Sequence, residues 1–105
     1  MFHKAYICLP IENRINSETN RFSVDGGKSV PISEGTACYK VAAGPHTLVV
    51  TSGNGRSWTV ETTIPKRAVL LLKLDIWNGD IDNVLYRFDD PPFGISLVAK
   101  RLPEE

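Results

Sequence analysis

Few residues in this chain could do chemistry, and their spacing limits what that chemistry could be. There are two histidines, His3 and His46, and two cysteines, Cys8 and Cys38. A nucleophilic triad needs a histidine oriented by a carboxylate and touching an activated Ser or Cys. None of the serines sits in a G-x-S-x-G elbow. His46 follows Gly44-Pro45 and precedes Thr47-Leu48-Val49-Val50, so it is expected to start a strand rather than to react. His3 lies near a chain end and is expected to face solvent. Two cysteines are too few for a zinc site. They read as small reduced side chains, with a single cross-strand disulfide as the alternative.

The stretch "DIWNGDIDNVLYRFDD" holds the one pattern that suggests a metal. Asn78, Asp80 and Asp82 follow an i, i+2, i+4 spacing, and Asp89 is twelfth counting from Asn78, as in a calcium-binding EF-hand loop. Three features oppose it. Asn83 stands where a glycine makes the sharp turn, Asp89 is shorter than the glutamate that closes such a loop, and no flanking helices are expected. The stretch therefore reads as a polar hairpin loop with solvated carboxylates, and no cofactor is expected. The neighbouring Trp77, beside Asn78-Gly79, and Tyr6, on one face with Lys4 and Cys8, are expected to be exposed aromatics of an interaction surface.

The elements that must position these residues are strands. Ala5, Ile7 and Leu9 alternate, as do Phe22 and Val24, and Ala37, Tyr39 and Val41, each the pattern of a half-buried strand. Asp25-Gly26-Gly27, Glu34-Gly35 and Gly44-Pro45 punctuate them as turns. Around Ser52-Gly53-Asn54-Gly55-Arg56 a three-residue loop, with Gly55 left-handed, sets Val50 opposite Trp58 and Leu48 opposite Val60. A two-residue loop would instead set Val50 opposite Thr59 and spoil the apolar face. Val69–Trp77 is apolar on both faces at its start, as a central strand is. Asn83–Phe88 reads as a further strand, and 95–102 fits a strand or a helical face equally.

At 105 residues this is one domain, 1–105, with a single core. Twelve basic and twelve acidic side chains cancel, which disfavours nucleic acid as a partner and a purely electrostatic hold on anionic lipid. No run approaches the ~20 apolar residues of a membrane span. The N-terminus lacks a signal-peptide core, so the compartment is expected to be cytoplasmic, or periplasmic or cell-surface for a trimmed mature fragment.

The order "AYICLP", "RFSVDGGKSVPISEG", "ACYKVAAGPHTLVV", a hairpin, then "AVLLLKLDI" resembles bacterial PEGA-type domains and related small lipoprotein domains of unknown function. Asp25-Gly26 and Gly44, His46, Thr47 and Leu48 are the sharpest points of likeness. The resemblance implies an Ig-like or prealbumin-like β-sandwich without catalytic residues. Together these readings predict an all-β sandwich of about seven or eight mostly antiparallel strands. Its expected function is that of a non-enzymatic accessory module binding a protein, peptide or glycan through loops or an open sheet edge. The alternative is a small-ligand or calcium-binding protein using the 78–89 stretch.

Overall fold

The alternating runs fold into two packed sheets in the computed structural model, which describes residues 4–103. His3 lies outside the described residues. The five-stranded sheet has the order β8-β7-β1-β4-β9 and the four-stranded sheet the order β3-β2-β5-β6. Its strands are β1 (Lys4–Ile11), β2 (Arg21–Val24), β3 (Val30–Pro31), β4 (Gly35–Ala42), β5 (Gly44–Thr51), β6 (Ser57–Ile64), β7 (Val69–Trp77), β8 (Asp80–Asp89) and β9 (Lys100–Arg101). The fold is an all-β, sandwich-like one. Its strand pairs are antiparallel except β1 with β7 and β4 with β9.

The core follows from period-two alternation. Ile7 and Leu9 of β1 and Leu70, Leu72 and Leu74 of β7 meet Phe22, Leu48, Val50 and Val60 of the other sheet. Phe22 of β2 packs edge-on against Tyr39 of β4, ring centroids 5.3 Å apart, which links the two sheets directly. The β5–β6 register pairs Val50 with Trp58 and Leu48 with Val60, as the three-residue loop requires. Gly55 has φ +91°, the left-handed conformation that closes such a loop.

Strand β1 is buried without a break from Ala5 to Leu9, because it is the middle strand of its sheet and both its faces are covered. The outer face is covered by the C-terminal segment. There 95–102 splits into a helical turn, α1 (Ile95–Val98), and β9. Ile95 and Ala99 pack onto Tyr6, Cys8, Cys38, Val69 and Leu71. This corrects two expectations. Tyr6 is buried at 6% exposure, not an exposed aromatic. Cys8 and Cys38 are not free thiols: the antiparallel β1–β4 register sets them directly opposite, Cα atoms 4.1 Å apart, and a disulfide joins them. Such close approach is the spacing of a non-hydrogen-bonded antiparallel pair.

Candidate functional site

His46 stands at the corner where the chain passes from β4 in one sheet to β5 in the other. Its Nδ1 lies 2.6 Å from Asp25 Oδ2 and its Nε2 lies 2.6 Å from the Ala42 carbonyl oxygen. Both neighbours only accept, so the doubly protonated ring donates to both at once, whereas a neutral ring satisfies one. Asp25 occupies the left-handed region, φ 54°, which Asp tolerates better than most residues. Its Oδ1 accepts the Thr47 N–H at 2.8 Å, and its own N–H donates to the Thr47 carbonyl at 2.7 Å. Burial pushes the Asp25 carboxyl up. The Thr47 N–H and the His46 hydrogen bond and charge outweigh it and hold the carboxyl below the usual value.

The carboxylate that orients His46 comes from a turn 21 residues away, a pairing that no local pattern in the sequence announces. Both ring nitrogens are held against acceptors, Asp25 Oδ2 and the Ala42 carbonyl, which fixes the ring in place. The arrangement is a clamp that fastens the turn after β2 and the end of β4 to the start of β5.

A second polar hub sits at the other end of the sandwich, and sequence reasoning missed it. Asn20 is fully buried. Its Nδ2 donates to the carbonyls of Asn16 (2.9 Å) and Gly79 (2.8 Å), and its Oδ1 accepts the Gly53 N–H at 2.9 Å. One side chain thus holds the β1–β2 connection and two hairpin turns together. Beside it the buried Ser52 Oγ accepts the Ile81 N–H at 3.0 Å.

The strand expected at Asn83–Phe88 is present and longer, so the loop expected for 78–89 shrinks to a turn. Asn78 and Gly79, with φ 51° and 81°, make a two-residue hairpin turn of the kind that Asn-Gly favours, and Asp80–Asp89 is strand β8. Asp80 and Asp89 stand at opposite ends of that strand, about 30 Å apart at ~3.3 Å per residue, so Asn78, Asp80, Asp82 and Asp89 cannot converge on one ion. Among the described residues no group of three or more His, Cys, Asp or Glu side chains is placed to hold a metal. Arg56 lies 3.4 Å from Asp82, an exposed pair of little energetic weight. Trp77, at the end of β7, is exposed as expected, at 71%.

What the strand does offer is an edge. β8 pairs with β7 on one side and, among the described residues, with nothing on the other. Two other edges, β3 and β9, are only two residues long. The remaining long edge, β6, exposes Ser57, Thr59, Glu61 and Thr63. β8 differs from it by exposing Leu85, Tyr86 and Phe88. Tyr86 and Phe88 pair with Leu72 and Leu70, both core residues, so they face inward. They remain 47% and 43% exposed, because the four-stranded sheet leaves that part of β8 uncovered. The two rings touch edge to face at 6.3 Å. On the outer face Leu85 and Arg87 border a shallow groove with Pro10, Leu71 and Lys73. A separate apolar knob consists of Phe93, Leu97 and Val98 around α1.

No helix among the described residues is long and apolar enough to cross a membrane. Compared with protein-family models, curated proteins and solved structures, the chain matches none of them.

Proposed function

We propose that this protein is a non-enzymatic interaction module that takes up an extended protein or peptide segment along the open edge of β8. The observation that carries this reading is the unpaired flank of a ten-residue strand beside exposed Leu85, Tyr86 and Phe88. An edge strand presents alternating N–H and C=O groups that an added strand can satisfy, and side chains on either face supply selectivity. The reading without catalysis is supported by His46, whose ring nitrogens both face acceptors.

The Cys8–Cys38 bridge supports an oxidising compartment, the periplasm or cell surface, over the cytoplasm. Kinship with PEGA-type domains and an Ig-like strand arrangement belong to the same proposal. Among the sharpest points of that likeness, Asp25, His46 and Thr47 are residues that meet in the clamp.

A selection from a library of random displayed peptides tests the edge. Selected peptides should perturb backbone amide resonances of Asn83–Asp89, and Tyr86→Ala with Phe88→Ala should weaken them about tenfold or more. Peptides that map elsewhere and ignore both substitutions would refute the reading.

A further inference from the structure

β8 is not uniformly open. Natural edges are protected by charge and by bulges, and the first part of β8 has both. Its register against β7 shifts between Asp75 and Ile76, which makes the strand irregular opposite that point, and it carries Asp80 and Asp82. From Asn83 to Asp89 the pairing is regular, and within Asn83–Phe88 the only charge is Arg87. The usable edge is therefore a short, flat, largely apolar segment.

That segment is complementary to itself. An isologous antiparallel contact pairs residue i with residue j of the second copy, with i + j constant. A contact centred on residue 84 sets Tyr86 against Asp82 and Phe88 against Asp80. One centred on residue 85 sets Phe88 against Asp82 at the irregularity. One centred on residue 87 sets Arg87 against Arg87. A contact centred on Tyr86 avoids all three. It pairs Tyr86 with Tyr86, Val84 with Phe88, Leu85 with Arg87, and Asn83 with Asp89. It uses only Asn83–Asp89 and opposes no like charges within that segment; Asp82 and Asp90 face each other just beyond it, past the regular pairing.

On the inner face this register brings both copies' Tyr86 and Phe88 into one aromatic cluster, covering the rings that the smaller sheet leaves open. Arg87 keeps its own Asp89 carboxylate 3.8 Å away. The chain's net charge of zero gives two copies no long-range repulsion to overcome.

We infer that the segment taken up along β8 is β8 of a second copy of this chain, the two five-stranded sheets joining edge to edge about Tyr86. The inference rests on the strand-addition reading and names its partner.

Sedimentation equilibrium of the full chain between about 1 µM and about 1 mM, a span that covers firm and transient association, tests it. The expected mass is twice the 11.6 kDa protomer. Tyr86→Lys and Tyr86→Glu should each sediment as a single protomer, because each sets like charges opposite one another. Mixed in equal amounts they should form a dimer. Circular dichroism verifies that both fold, which the half-exposed position of Tyr86 favours. As an independent readout, Tyr86→Cys should cross-link to itself under mild oxidation, and Leu85→Cys, which meets Arg87, should lag behind it.

A wild-type monomer throughout the range, or a Tyr86→Lys protein that still dimerises, overturns the inference. If a monomeric wild type still binds selected peptides along Asn83–Asp89, strand addition stands and the second copy falls. If it neither dimerises nor binds them, both fall.

Discussion

The His46 ring lies with its Nδ1 2.6 Å from Asp25 Oδ2 while Asp25 Oδ1 holds the Thr47 N–H, so one carboxylate grips both a side chain and the backbone of the same strand. The folded-state pKa of Asp25 is depressed. Its contribution to stability is therefore fully present above the ordinary carboxylate range, about pH 4, and is lost as pH falls through the lowered folded value. Acid titration of thermal stability should show this loss below about pH 4, and Asp25→Asn should remove its share. His46→Gln cannot reach both acceptors with matching donors at that spacing, and should cost about 1 kcal/mol in a urea melt.

Asn20→Ala should be among the most damaging single changes. It deletes three hydrogen bonds and strands the Gly53 N–H beside a buried site, while the Asn16 and Gly79 carbonyls keep only their backbone donors, the Asn20 and Asn16 N–H groups. About 3 kcal/mol or more is expected. Asn20→Asp should be no better, because a carboxylate would face two carbonyls with no proton to offer. Denaturant melts of the two variants make the comparison.

Gly55→Val should cost roughly 1–2 kcal/mol. A Cβ at Gly55 meets nothing within 4 Å, so the loss comes from backbone conformation alone. Gly55→Asn should recover part of it, since Asn tolerates the left-handed region. Thermal melts of the pair separate conformational strain from crowding.

Reducing the Cys8–Cys38 bridge frees a loop spanning a separation of 30 residues. Chain-entropy arguments put the loss at about 3–4 kcal/mol. Comparing urea melts with and without reductant, and with Cys8→Ala plus Cys38→Ala, measures it. An unchanged midpoint would show that the bridge adds nothing to stability.

Local rules made much of the fold legible. The loop Gly53-Asn54-Gly55 dictated a register because only one choice kept Leu48 and Val50 opposite apolar partners, and alternation placed Ala5, Ile7 and Leu9 inward. What local rules could not see was which strands become neighbours. Tyr6 lies on the face opposite Ile7, which alternation assigns to solvent; Ile95, almost ninety positions later, covers it. The disulfide depended on β1 pairing with β4, and the His46–Asp25 contact on β2 pairing with β5. The strand read at Asn83–Phe88 is there, and only its extension back to Asp80 and on to Asp89 escaped the sequence, because an edge strand tolerates aspartates that a buried one would exclude.

The parallel pairing of the first strand with the seventh, Tyr6 beside Val69, has a kinetic consequence. During synthesis the first strand must wait for more than sixty further residues before that neighbour exists. The smaller sheet needs only residues 21–64 and is complete earlier. Contacts this distant in sequence are closed at a high entropic cost, placing the chain among domains that fold in milliseconds to seconds rather than microseconds. A Cys8–Cys38 bond formed as soon as the fourth strand emerges would hold the waiting strand beside its other neighbour, sparing an apolar segment a long interval of exposure.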